Sequence, residues 1–290
     1  MDRAAIQPVG RRCRFALCGL MLLGLTGCVE KSVVIKVLAD GSAVIHIRSF
    51  SMDVPFVAKE PKEHQVAKIS EERIDALRDL VGTELTVLSN EQKRNARGWK
   101  GTELVLKCPD INALQLHPEA LNSLMSIGSA PPSAEEDQES TDDKGGDPEE
   151  LGQAIGLDIN LTDDQLTIDI LWDFPEVEPA PADRAQDPFA GSPPARNPLS
   201  DMVLAGIVRE LRGGLFVETE RKIVDSDASY PVKNGTLVTI ASIDGSKLEI
   251  NKLYELSGST PRSVEDYKQL VDKLDGFSVE FKKRVTLQLE

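Results

Sequence analysis

The feature that most constrains this chain is Leu25-Thr26-Gly27-Cys28. It closes an apolar run from Phe15 to Leu25, and an arginine-bearing start (Arg3, Arg11, Arg12, Arg14) precedes the run. Basic start, short apolar core and small residues at the exit, in that order at the extreme N-terminus, read as a secretory signal. The run is too short for a bilayer-spanning helix, which takes about 20 residues. Residues 1–27 are therefore expected to be absent from the fold, which begins at Cys28.

The same four residues resemble the lipobox of bacterial lipoproteins. That resemblance implies cleavage between Gly27 and Cys28, an S-diacylglycerol on the Cys28 sulfur and an N-acyl group on its new amine. Two or three palmitate-type chains hold a protein stably at a membrane, whereas one does so only marginally. Val29, where an Asp would signal retention in the inner membrane, implies the outer membrane, with the protein facing the periplasm. Arg11-Arg12 raises twin-arginine export, but Arg14 stands where that motif has Phe, which favours the general secretory route.

Charge separates anchor from body. The whole chain carries −15; removing Asp2 and the four arginines of the first 27 residues leaves −18. So acidic a body is a poor partner for nucleic acid and is repelled overall by anionic headgroups, so the expected membrane partner is reached through the covalent lipid. Cys13 and Cys18 leave with the signal and Cys28 is taken by lipid, so Cys108 has no cysteine left to pair with.

Periodicity predicts an α+β fold of mainly antiparallel sheet with packed amphipathic helices, interrupted by two disordered linkers. The expected organisation is a signal at 1–27, an N-terminal α+β domain at 28–128, an acidic segment at 129–150, a strand pair at 151–175 completing the N-terminal sheet, a Pro/Ala-rich linker at 176–198 and a C-terminal α+β domain at 199–290. Segment 129–150 holds nine acidic residues and almost nothing to bury.

Within those limits several elements are specific. Ser32–Arg48 reads as a hairpin whose three-residue loop, Ala39-Asp40-Gly41, pairs Ile35 with Ile45 and Val33 with Ile47. Ser70 caps a helix with Ile74, Leu77, Leu80 and Val81 on one face, and Gly82 stops it. Strands at 84–88 and 102–107 flank a basic loop with Lys93, Arg94, Arg97, Trp99 and Lys100, read as a solvated hairpin loop with Trp99 covering a sheet end in preference to an anion or glycan contact. A helix after Pro198 carries Met202, Val203, Ile207, Val208 and Leu211 and ends at Gly213-Gly214. Strands at 215–224 and 236–241 follow, joined through Asn234-Gly235. A last helix presents Val264, Tyr267, Leu270, Val271 and Leu274, stops at Gly276, and hands over to a terminal strand region.

The Asp40-Gly41 hairpin after the cysteine, Gly98-Trp99-Lys100-Gly101 leading to Asp110-Ile111-Asn112-Ala113-Leu114, Ile223–Ala228 before Asn234-Gly235, and the helix–Gly276–strand ending together resemble uncharacterised lipoproteins and secreted proteins of bacterial envelopes. The resemblance implies architecture and no activity.

Chemistry gives few handles. No Gly-x-Ser-x-Gly, phosphate loop or dinucleotide turn is present, and His46, His64 and His117 are not spaced as metal ligands. Cys108 alternates with Leu104 and Leu106, as a core residue does. The expectation is a non-catalytic binding or assembly module of the cell envelope with no cofactor, no metal, and an unknown envelope protein or ligand as partner. The alternatives are an enzyme, such as a hydrolase, with a site built from unmarked residues, and a carrier or chaperone for an apolar ligand.

Overall fold

A computed structural model describes residues 28–51, 69–127, 155–172, 198–257 and 264–290. The expected signal, His64, the acidic segment 129–150 and all of the second linker but Pro198 lie outside them. The described residues form an α+β fold with two sheets, largely antiparallel.

The first sheet is nucleated by the hairpin of β1 (Cys28–Val37) and β2 (Ala43–Ser51). Its register is the expected one, with Ile35 opposite Ile45 and Val33 opposite Ile47. The Leu38 amide donates to the Ser42 carbonyl at 2.8 Å, which closes the three-residue loop, and Gly41 sits at φ 82°. Only glycine takes that angle without strain. Next come α1 (Glu71–Val81), β3 (Thr86–Arg94) and β4 (Lys100–Cys108). In α1 the Ser70 hydroxyl accepts from the Arg73 amide, and Gly82 ends the helix at φ 68°. Ile74, Leu77 and Val81 are buried, but Leu80 is 36% exposed. At about 100° per residue, Leu80 lies roughly 240° round from Ile74, off the stripe.

A single 3₁₀ turn at Ile111–Ala113 leads to β5 (Gln115–Leu116) and α2 (Pro118–Ser126). Strands β6 (Ile155–Leu161) and β7 (Gln165–Trp172) form the hairpin expected around Thr162-Asp163-Asp164. Then follow α3 (Pro198–Glu210), β8 (Arg212–Thr219), β9 (Ile223–Ser226) and β10 (Leu237–Asp244). The chain ends with α4 (Ile250–Ser257), α5 (Val264–Val271), β11 (Phe277–Val279) and β12 (Arg284–Leu289).

Strand order is β11-β10-β8-β1-β2-β4-β3 in the first sheet and β5-β6-β7-β12-β9 in the second. This corrects two expectations, and residues from 28–128 and 199–290 share the first sheet, because β8 runs parallel to β1 from Glu30↔Arg212 to Val37↔Thr219. The pair at 151–175 does not complete the N-terminal sheet; it sits in the second sheet, against β5 and β12. Residues 215–224 are not one strand: the chain leaves the first sheet at Thr219 and enters the second at Ile223.

Glycines 213 and 214 also differ from expectation. They lie inside β8 rather than ending a helix. A Cβ on Gly213 would stand 2.5 Å from the Lys31 carbonyl oxygen, and one on Gly214 would stand 2.5 Å from the Phe216 ring. The close approach of β8 to its neighbours, not a helix stop, explains them. Met202, expected on the packing side of α3, is 72% exposed, whereas Val208 is buried.

One continuous hydrophobic core joins the two sheets to α1 and α2, with Ile35, Ile45, Leu77, Leu124, Ile168 and Leu287 among its members. A second, smaller cluster gathers Val208, Leu211, Tyr267, Val271, Phe277 and Val279. Phe281 packs on that cluster, its ring stacked on Trp172 at 6.0 Å and edge-on to Tyr267 at 6.0 Å.

Candidate functional site

Cys28 is the first residue of β1, its backbone opposite Ser51, with a register shift before Glu30. The chain is already strand at residues 28–32. Gly27 lies outside the described residues. Strand directions then fix what surrounds Cys28. At this end of the sheet β2, β3 and β10 finish, while β4, β8 and β11 begin.

The β3–β4 turn, Asn95–Trp99, therefore projects from the Cys28 end, and Asn95 organises it. Its side-chain oxygen accepts from the Arg97 amide at 2.9 Å and the Trp99 amide at 3.0 Å. Its Nδ2 donates to the Glu30 carboxylate at 2.9 Å, which ties the turn to the second residue after the cysteine. Gly98 supplies φ 82°. Gly101 leaves room for β2, since a Cβ there would stand 2.1 Å from the Ser49 carbonyl oxygen. Arg97 lies over the Trp99 ring at 5.0 Å and donates to Glu210, the last residue of α3, at 2.7 Å. Arg94 donates to the Gly98 carbonyl at 2.8 Å.

On the other side of β1, Arg212 pairs with Asp244 at 3.0 Å, and Lys247 lies 3.6 Å from the same carboxylate. Hydrogen bonds from Ser246 and these two cations hold the Asp244 carboxyl below the ordinary range, against the opposing effect of burial. Of the basic residues expected in one loop, Lys93 and Arg94 instead end β3. Lys93 faces Glu103, which Arg48 also reaches at 2.7 Å. The hydrogen bond from Lys93 is the main cause of the lowered Glu103 pKa, and Arg48 adds to it.

The other flagged residues do not converge. Cys108 is buried, its thiol 3.1 Å from the Asp110 carbonyl, and burial raises its pKa, the wrong direction for a nucleophile. His46 is half-buried on the outer face of the sheet between Val34 and Val105, and burial, then Arg48, lower its pKa. His117 is exposed at the start of α2 and makes no side-chain capping bond. Among the described residues no His, Cys, Asp and Glu side chains gather in threes as a metal would require. No helix among them is long and apolar enough to cross a membrane.

One polar group escaped the sequence reading. Glu280 is fully buried where the chain passes from β11 in the first sheet to β12 in the second. Its carboxylate accepts from the Ser229 amide and hydroxyl, both at 2.6 Å, and from the Lys282 amide at 3.0 Å. Strict alternation after Phe277 assigns Glu280 to the face opposite the apolar one; no local signal shows that the sheet-to-sheet corner covers that face.

No family model and no curated protein matches this sequence. Among solved structures, the folded domain of LppM from Mycobacterium tuberculosis, determined by NMR, aligns over 91% of this chain and 90% of its own, at 6% identity and a TM-score of 0.34. Likeness at that level transfers neither a site nor an activity.

Proposed function

We propose that this chain is a bacterial lipoprotein of the cell envelope, held to the outer membrane by acyl chains on Cys28, facing the periplasm, and acting there as a non-catalytic binding or assembly module. The observation that carries the reading is positional. The residue that ends the Leu25-Thr26-Gly27-Cys28 motif is also the first residue of β1. Cleavage before Cys28 would remove no described strand or helix, and the acyl chains would attach directly to the central part of the first sheet, with β8 and β2 on either side.

Metabolic labelling with a fatty-acid probe tests the anchor. Wild-type protein should incorporate it and Cys28→Ala should not; label on the Cys28→Ala chain would overturn the reading. Crosslinking in intact envelopes followed by capture of the lipidated protein tests the binding role, and a specific partner lost on mutating an exposed surface is the expected result.

A further inference from the structure

We infer that the Cys28 end of the first sheet is itself a membrane-facing surface, built to contact anionic lipid headgroups in the leaflet that holds the anchor. The inference rests on the lipidation reading for its orientation, and on the charge distribution for its chemistry.

Reach comes first. Extended chain covers about 3.3 Å per residue, so Glu30 lies within roughly 7 Å of Cys28. Asn95 fastens the β3–β4 turn to that glutamate, and Arg97 fastens the same turn to the end of α3. The turn is thus a braced cap over the start of β1 rather than a free loop. Any bilayer that receives acyl chains from Cys28 must lie against it.

Charge gives the surface its partner. The chain as a whole carries −15. Yet Arg94, Arg97, Lys100, Arg209, Arg212 and Lys247 collect at this end, around the turn, the end of α3 and the adjoining end of β10. The acids interspersed with them are engaged: Glu30 by Asn95, Glu210 by Arg97, Asp244 by Arg212 and Lys247, and Glu249 and Asp275 by Lys252. The opposite end is acidic on balance. Asp40, Asp110, Asp163, Asp164, Glu218, Glu220 and Glu290 stand there, brought together by Ile111–Gly41, Leu289–Asp164 and Ala39–Glu220 hydrogen bonds, against Lys36, Lys107, Arg221 and Lys222. The molecule is a dipole whose positive pole coincides with its anchor. Near an anionic surface such a pole is attracted over about a Debye length while the acidic bulk points away. Half-buried Trp99 completes the pattern, since indole rings favour the headgroup layer.

The experiment uses chain 28–290 bearing Cys28→Ser, which keeps every described strand and helix and carries no acyl group. It is mixed with vesicles of phosphatidylcholine alone or of equal parts phosphatidylcholine and phosphatidylglycerol. Binding is read by co-sedimentation, and by Trp99 emission in a Trp172→Phe background. The expected result is salt-sensitive binding and a blue shift on the mixed vesicles only. Losing a cation near an anionic surface costs about fivefold, so Arg94→Gln with Arg97→Gln should weaken binding by about 25-fold, with the thermal midpoint moved only by the loss of the exposed Arg97–Glu210 pair. Lys36→Gln with Lys107→Gln, away from this end, should leave it within twofold. Inorganic phosphate should compete no better than chloride at equal ionic strength. Equal binding to both vesicles, no binding to either, equal losses in the two double variants, or selective competition by phosphate would overturn the inference. Because the probe is unlipidated, failure here leaves the fatty-acid test of Cys28 standing, and failure of that test leaves this one readable.

Discussion

The Glu280 carboxylate and Ser229 meet through two hydrogen bonds of 2.6 Å, one to the amide and one to the hydroxyl, across 51 positions of sequence. Ser229 lies where the chain returns from β9 to β10, and Glu280 where it leaves β11 for β12. The pair therefore joins two of the connections that pass between the sheets. A fully buried carboxylate left short of a donor loses far more than an exposed one. Ser229→Ala should lower the unfolding free energy by about 1.5–3 kcal/mol, as expected for a hydrogen bond to a charged group. Glu280→Gln should also destabilise, because its amide must present N–H to donors at either Ser229 or Lys282. Urea melts decide it: a change within about 0.5 kcal/mol, typical of surface substitutions, would show the contact to be dispensable.

His46 makes the stability depend on pH in a definite direction. Burial and Arg48 lower its folded pKa, with Glu103 and Glu218 opposing. Above the unfolded value of about 6.5 both states are neutral and the contribution is complete. As pH falls below that, the unfolded chain takes up the proton first, and stability declines until the folded pKa is passed. His46→Gln should therefore lose less stability than wild type on acidification from pH 7, and an NMR titration of His46 should give a midpoint below 6.5. Parallel pH–stability curves for the two proteins would refute this.

Phe281 and Lys282 are neighbours with opposite expectations. Phe281 packs between Trp172 and Tyr267, and burial pushes the Tyr267 phenol up to about 12. Lys282 is exposed, and its backbone amide, not its side chain, serves Glu280. Phe281→Ala should cost about 3 kcal/mol, the lower end for core phenylalanines because the ring is only partly covered. Lys282→Ala should cost less than about 0.5 kcal/mol. Denaturant melts and Trp172 fluorescence separate the two; equal melts would mean that the terminal segment adds nothing to the fold.

What was legible in the sequence was local. Ile35 and Ile45 could be paired because a three-residue loop and two apolar alternations admit one register. Ser70 and Gly82 could be assigned because caps are chosen by the residue and its immediate neighbours. The β1–β8 pairing was not legible, since nothing in Val33–Val37 or Leu215–Thr219 distinguishes a parallel neighbour 182 positions away from any other apolar strand. The same holds at the site. Cys28 announces itself through the three residues before it, whereas the Asn95–Glu30 and Arg97–Glu210 contacts, 65 and 113 positions apart, exist only once the sheet has formed. Gly213-Gly214 shows the ambiguity directly: one dipeptide suits a helix stop and a close strand approach equally, and only the Lys31 carbonyl at 2.5 Å decides between them.

Gly206 and Gly245 put that distinction to the test on a single helix. Gly206 lies within α3, is exposed, and has nothing within 4 Å of where a Cβ would stand. Glycine there costs helix stability through backbone freedom in the unfolded chain, by about 0.8–1 kcal/mol relative to alanine. Gly206→Ala should therefore raise the thermal midpoint. Gly245 opens the 3₁₀ turn after β10 and is buried against the end of α3. A Cβ on it would stand 1.7 Å from the Val208 carbonyl oxygen and 3.0 Å from that of Leu211, which accepts the Gly245 amide at 2.8 Å. Both obstacles are backbone, so α3 itself would have to move, parting the Val208 and Leu211 side chains from their cluster. Gly245→Ala should destabilise by more than about 3 kcal/mol, beyond the range of most single substitutions. Thermal melts of the two variants should shift in opposite directions; a shift of the same sign would show that α3 is not seated on the turn at Gly245.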